Sequence, residues 1–264
     1  MAETIGILGV GHLACYVVAA LRRAGDTRRI VLSPRNQERA KYLQSSYGCD
    51  IAVSNQAVVD ECNVVLLAVR PDQLKILAAE IVPTSDHLLI SCIAGISLKR
   101  LQALLPQPTI VRTQPLASVE VGEGVVPLFP QNATAQSILN PIGKLMVFDS
   151  EADFDLAGVA AVMNGVVFGF MAELSEWFQS KGMTDEQSRA LVTHTLRGAT
   201  GLADYKLVQS LSDINHSIAT PGTFTLTAQE MIKAEGDLRH GLRHVKRFNV
   251  RLANRIHRTE IHFR

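Results

Sequence analysis

Read as a pattern of apolar and polar positions, the chain changes texture once, near Ser150. Ahead of that point short apolar runs alternate with helical periodicity, as in repeated strand–helix units. The first run, residues 4–8, breaks at Gly9 and Gly11. It passes into an apolar helix face of Leu13, Val17, Val18, Ala20 and Leu21 that stops at Gly25. Residues 30–32 predict a second strand, followed by a polar helix through Glu38, Lys41 and Leu43. Residues 51–53 predict a third strand with a short helix over 56–61. The run 64–69 is the clearest buried strand, and Pro71 behind it suits the first turn of a helix reaching about Val82. Residues 88–92, 109–112, 125–129 and 145–148 predict further strands, with helices over 97–105 and 135–142 between them.

Behind Ser150 no strand-like run follows. Helical patterns cover 154–181, 185–208 and 225–264, with Thr184 placed to cap the second. The expectation is an α/β chain: an N-terminal Rossmann-type parallel sheet domain over residues 1–150, then an all-helical dimerisation and substrate domain over 151–264. Residues 156–172 carry no charge, are rich in Gly, Ala and Val, and are bracketed by Asp155 and Glu173. A bilayer needs about 20 apolar residues, so the segment reads as a buried helix of a soluble core and not as a membrane span. It is too apolar for one face of a lone helix, and its own small domain offers little cover. An intertwined homodimer would supply it.

Composition narrows the partners. Lys and Arg number 26 against 25 Asp and Glu, a net charge of +1, so no bulk field draws the chain to nucleic acid or membrane. Cys15, Cys49, Cys62 and Cys92 match no metal or redox spacing. With no secretory leader read ahead of the first strand, reduced thiols in a cytoplasmic protein are expected. His240 and His244 share a helix face as zinc pairs do, but no third ligand accompanies them; a solvated face and no metal is the reading. His194 and His216 have no assigned role. The C-terminal helix sets Leu238, Leu242, Val245, Phe248, Leu252 and Ile256 against a stripe of Arg239, Arg243, Arg247, Arg251 and Arg255. The stripe lacks interleaved aromatics, so it reads as ion-paired or solvated more readily than as a nucleic-acid surface.

The candidate chemistry begins at the glycines. Strand, glycine turn and helix form the context in which a Gly-x-Gly-x-x-Ala pattern has meaning. Gly9 allows the tight turn, Gly11 lets a pyrophosphate approach the backbone, and Ala14 permits close packing of helix on strand. His12 sits inside this turn, either touching phosphate or exposed. After the second strand come Ser33, Pro34, Arg35 and Asn36, with no acid before Glu38. NAD enzymes place an Asp or Glu there, whereas a hydroxyl and a guanidinium suit a 2′-phosphate. NADPH is therefore favoured over NADH, a solvated loop arginine being the alternative.

Several blocks together resemble the pyrroline-5-carboxylate reductases. They are residues 9–14, 33–36, 66–71, 90–97, 111–112, 121–125 and 219–222, in the family's order and spacing. The resemblance implies a Rossmann domain with a helical dimerisation domain, and hydride transfer from NAD(P)H to a cyclic imine carboxylate. It implies that His12, Leu13 and Ala14 open the phosphate-binding helix. Ala68, Val69, Arg70 and Pro71, together with Asn55, would also hold the cofactor. Cys92, Ala94 and Gly95 would lie beside the nicotinamide. The same resemblance puts substrate against Leu116, Thr220, Gly222, Thr223, Phe224 and Thr225, with Thr225 the one retained hydroxyl able to donate to the imine nitrogen.

The departures fall on the substrate side. Where the family has Met-Pro-Asn-Thr-Pro, this chain has Gln114-Pro115-Leu116-Ala117-Ser118. The family's Gly- and Pro-containing entrance to the long helix is Ala160–Val166, which is expected to stay helical. Ser-Pro-Gly-Gly-Thr-Thr becomes Thr220-Pro221-Gly222-Thr223-Phe224-Thr225. Three readings follow: an imine reductase of this type; a divergent member that binds NADP(H) but reduces another imine or has no turnover, as a sensor or subunit; and, least favoured, a nucleic-acid-associated dimer using the C-terminal arginines.

Overall fold

The computed structural model describes residues 3–235. Its chain divides into two compact units that meet in sequence at Ala161 and Val162.

The first unit is an eight-stranded sheet. Its strands are β1 (Ile5–Leu8), β2 (Ile30–Leu32), β3 (Asp50–Ile51), β4 (Val64–Leu67), β5 (Leu88–Ser91), β6 (Thr109–Thr113), β7 (Val125–Phe129) and β8 (Lys144–Val147), in the order β3-β2-β1-β4-β5-β6-β7-β8. Every pairing is parallel except β6 with β7, which the sequence pattern alone does not reveal. β1, β4 and β5 are buried at every position, as strands covered on both faces must be. Two apolar clusters provide that cover. On one face α1 (His12–Arg23), α2 (Gln37–Tyr47) and α6 (Ala133–Leu139) pack through Val17, Leu21, Leu43 and Ile138. On the other, α3 (Asn55–Glu61), α4 (Leu74–Glu80) and α5 (Leu98–Leu104) pack through Val58, Leu77 and Leu101.

Local chemistry sets the helix ends. Asn36, Ser54, Ser97 and Asn132 each accept a first-turn N–H from their side chains, satisfying donors that a helix leaves unpaired. α7 (Glu151–Ala157), capped by Ser150, closes the unit. One residue later, at Gly158, the chain re-enters α8 (Val159–Ser180), so the helix read as continuous from 154 is interrupted by a single turn.

The second unit continues from α8 through α9 (Asp185–Tyr205), α10 (Leu211–Ile218) and α11 (Phe224–Glu235). α9 starts at the expected cap, where Thr184 and Gln187 form a reciprocal capping box. α9 stops three residues short of the predicted end, and α10, with a capping box of Ser210 and Asp213, is an element the sequence reading lacked. The expectation of a buried apolar helix over 156–172 is not met within one chain. α8 has no buried residue, and Val166, Phe168, Phe170 and Trp177 stand at 58%, 62%, 53% and 52% exposure. The helical segment Glu151–Ser180, which contains this stretch, is the one among the described residues long and apolar enough to cross a membrane. His240, His244 and the C-terminal arginine stripe lie outside the described residues.

Candidate functional site

Strand order reverses between β1 and β4, and in open parallel sheets a ligand crevice lies at the carboxyl ends of the strands at such a point. The glycine turn sits there. Gly9 has φ +97°, and a Cβ placed on it meets the Ala68 carbonyl carbon and oxygen at 2.7 Å and Val69 Cγ1 at 2.8 Å. Only glycine fits. Gly11 is the opposite case: its φ is −102°, and a Cβ there meets nothing within 4 Å. The open space lies at the N-cap of α1, where no side chain caps the helix and no acid occupies the first turn. The amides of the His12-Leu13-Ala14 turn and the helix dipole are thus left for an anion, and these residues fit a pyrophosphate.

The β2 end supports the same loop. Ser33 is buried, and its Oγ accepts the Gly9 N–H at 3.1 Å, so its first contact is with the glycine turn. Arg35 is exposed beside it. Arg39 in α2 donates from Nη2 to His12 Nε2 at 2.7 Å, joining the two loops from outside. The acid expected of an NAD site is absent at 33–36; Glu38, exposed in the first turn of α2, is the nearest.

Around the crevice, Ala68 donates its N–H to Leu8 O at 2.8 Å, and Ala68 and Val69 are half-buried against Gly9. Arg70 is exposed as the cap of the turn that Pro71 opens. Asn55 is the first residue of α3, with its side-chain amide donated to Glu80. Cys92 is buried at the end of β5, and burial pushes its thiol up to about 12, which keeps it a neutral wall and not a nucleophile. Ala94 and Gly95 are exposed just beyond it, Gly95 at φ +72°.

Arg112, to which the sequence pattern assigns no role, is the most thoroughly enclosed charge among the described residues, at 2% exposure. Its Nη1 donates to Glu151 at 2.6 Å and its Nη2 to Asp155 at 2.9 Å, and the guanidinium lies 4.6 Å from the Phe154 ring centre. Glu151 also accepts the Leu98 N–H at 2.6 Å. One cluster therefore fixes the end of β6, the start of α5 and all of α7. The sequence signal existed: an arginine ending an apolar strand needs partners, and Glu151 and Asp155 are one helical turn apart. Gln114 follows on the loop, its Oε1 2.7 Å from where a Cβ at Gly158 would stand. Leu116, half-buried, caps the next turn.

In the second unit, Thr223 Oγ1 accepts the Leu226 N–H at 3.3 Å and donates to Thr220 O at 2.7 Å, so Thr223 caps α11. Gly222 takes φ +85° in the turn before it. Thr220 and Thr225 are exposed. Phe224, which the resemblance puts against substrate, is 96% exposed at the helix start.

Residues 4–95 match the family described as NADP oxidoreductase coenzyme F420-dependent, and residues 151–247 match pyrroline-5-carboxylate reductase dimerisation. The chain belongs to the pyrroline-5-carboxylate reductase family. It is 29% identical over 247 residues to pyrroline-5-carboxylate reductase of Haemophilus influenzae, covering 88% of this chain and 90% of that protein. The fold matches 1-pyrroline-5-carboxylate reductase from Streptococcus pyogenes with a TM-score of 0.84 at 21% identity, over 96% of this chain and 99% of that one. Plasmodium falciparum pyrroline carboxylate reductase with NADP bound matches at 0.79 and 20% identity, over 95% of each. Within this family the segment Ala160–Val166 is helical here, lying wholly inside α8.

Proposed function

We propose that the chain is an NADPH-dependent reductase of the C=N bond of a cyclic imine carboxylate, of the pyrroline-5-carboxylate type, acting as a homodimer in the cytoplasm. The observation that carries the proposal is the acid-free, arginine-bearing end of β2 beside an open Gly11 cradle. Gly9, Gly11 and the first turn of α1 hold the pyrophosphate; Arg35, with the Ser33 hydroxyl behind it, receives the 2′-phosphate. Ala68, Val69, Arg70, Pro71 and Asn55 frame the ribose, and Cys92, Ala94 and Gly95 give the nicotinamide an uncharged wall.

Reduction adds a hydride to the imine carbon and a proton to its nitrogen. Bound NADPH would supply the hydride. The protein's share is orientation, worth several kcal/mol of barrier in well-placed reactants. At the α11 N-terminus the free N–H groups of Phe224 and Thr225 suit a carboxylate. Gly222 shapes the approach, and the Thr225 hydroxyl donates to the imine nitrogen. Thr220 and Thr223 brace the turn. The 151–247 match to a dimerisation family, together with the uncovered apolar face of α8, supports the homodimer.

Steady-state oxidation of NADPH and NADH with pyrroline-5-carboxylate and a panel of cyclic imines tests the reading. Preference for NADPH with turnover of a carboxylated imine supports it; equal use of both cofactors would remove the 2′-phosphate assignment. A second reading, a relative that binds NADP(H) but reduces another imine or turns nothing over, is favoured by Leu116, which puts a hydrocarbon where the family places an amide. NADPH binding without turnover of any imine selects it.

A further inference from the structure

The loop that leaves β6 keeps an amide but moves it. Against the family's Met-Pro-Asn the chain reads Gln114-Pro115-Leu116, so hydrocarbon and amide exchange places across the proline. The structure holds the displaced amide firmly. Two residues before it, Arg112 is clamped by Glu151 and Asp155, which fixes the end of the strand. One residue after it, Pro115 favours an extended backbone at Gln114. The side chain reaches the end of α7, where its Oε1 lies 2.7 Å from the place a Cβ on Gly158 would take. Gly158 has an ordinary helical φ of −59°, so no backbone strain asks for glycine there; the space beside it is filled by the amide.

Gln114 leaves the sheet at the same end as the Cys92–Gly95 wall. β5 and β6 run parallel with Ser91 opposite Arg112, and counting on from that pair sets Gln114 level with Ile93 and next to Ala94. Gln114 is half-buried, and its amide has no hydrogen-bond partner among the described residues. No sealed side-chain polar atom among those residues lacks a partner, so the Gln114 amide is open to solvent at the carboxyl end of the sheet. The wall itself offers a ligand little polarity, since Cys92 is a neutral buried thiol and Ala94 and Gly95 have no polar side chain. An amide N–H beside an uncharged wall complements a nicotinamide, whose ring takes the wall and whose carboxamide oxygen needs a donor. We infer that Gln114 is a cofactor-binding residue whose Nε2 donates to the nicotinamide carboxamide oxygen while Oε1 keeps its place against Gly158. The amide gained at 114 and the amide absent at 116 then serve different molecules: Gln114 holds the cofactor ring, and Leu116 remains a loss on the substrate side.

The inference rests on the proposed NADP(H) reading, and calorimetric titration with three probes separates the two. NADP+ carries the carboxamide oxygen, thio-NADP+ replaces that oxygen with a weakly accepting sulfur, and 2′,5′-ADP lacks the nicotinamide half altogether. If the unmodified protein binds none of the three, the cofactor reading falls and this inference with it. Otherwise the unmodified protein should prefer NADP+ to thio-NADP+. Gln114→Met, which restores the family's residue and removes the donor, should weaken NADP+ about five- to tenfold, the loss of one hydrogen bond. It should leave 2′,5′-ADP unchanged, which also shows that the variant is folded, and it should abolish the preference for NADP+ over thio-NADP+. A preference that survives in Gln114→Met, or that is missing from the unmodified protein, overturns the inference while the 2′,5′-ADP affinity keeps the cofactor reading in place. An equal loss for all three probes also overturns it, since a disturbed loop would weaken them alike.

Discussion

The two glycines of the phosphate turn should fail in opposite ways when each is given one methyl group. At Gly9 the new Cβ meets backbone atoms of Ala68 at 2.7 Å. That backbone cannot retreat, because the Ala68 N–H is bonded to Leu8 O at 2.8 Å within the β1–β4 pairing. The φ of +97° adds a conformational cost of about 1–2 kcal/mol for an L side chain. Overpacking against a fixed neighbour costs about 1–3 kcal/mol. Gly9→Ala should therefore destabilise the first unit by about 2–5 kcal/mol, lowering its Tm by about 4–20 °C for a unit of this size. At Gly11 the Cβ enters open space and φ is −102°, so the change as an N-cap costs under about 1 kcal/mol. The methyl group does occupy the cradle, and NADPH affinity should fall by about one to two orders of magnitude, about 1.4–2.8 kcal/mol. Thermal melts by circular dichroism and calorimetric titration of NADPH read the two effects separately. Similar melts for both variants, or full NADPH affinity in Gly11→Ala, would refute the claim that one glycine serves the fold and the other the ligand.

Other measurements bear on the remaining parts of the molecule. Glu151→Ala leaves the buried Arg112 guanidinium with Asp155 alone and also frees the Leu98 N–H. It should cost about 1–3 kcal/mol in a thermal melt, and Glu151→Gln should cost less. Light scattering at micromolar concentration should show a dimer, and its Tm should rise with concentration because association stabilises the folded state; a cooperatively folded monomer sinks the proposal. Burial raises Cys49 to about 11 and Cys62 and Cys92 to about 12 from an ordinary 9.0. The folded chain thus holds protons that the unfolded chain loses. Stability from these thiols is complete below pH 9 and is lost as pH rises from about 9 towards 12; a flat melting profile across that window would contradict it. Pyrroline-5-carboxylate turnover should be low with NADPH bound normally, and Leu116→Asn should raise it; ordinary kinetics in the unmodified protein would refute the weight placed on Leu116.

What the sequence made legible was local. Strands such as 64–67 announce themselves because a parallel strand buried on both faces is apolar throughout, and capped starts such as Thr184 carry their own hydrogen-bond partners. What it hid was pairwise. The antiparallel entry of β7 depends on strand order and not on composition. The Arg112 cluster joins residues about 40 positions apart, and Arg39 reaches His12 across 27. The helix α10 was missed because its chain is short and its one buried residue is Ile214. The resemblance sets Phe224 against substrate from its place in a motif, but a motif does not say which way a side chain faces, and within one chain the ring is exposed.

The contrast between the two units also bears on where divergence is tolerated. In the first unit three of the residues proposed to face the cofactor double as structure: Gly9 packs on Ala68, Ser33 bonds Gly9, and Cys92 is sealed in the sheet. A substitution at these three positions disturbs the fold before it alters a ligand. In the second unit Thr220, Phe224 and Thr225 are exposed on the turn ahead of α11 and at its first residues, and apart from the Thr223 cap they carry little of the packing. Substitutions at those positions cost the fold of a single chain little, so the proposed substrate side is free to drift while Gly9, Ser33 and Cys92 are held by their part in the fold. That asymmetry is the physical reason for expecting NADPH affinity to be retained even where the imine accepted has changed.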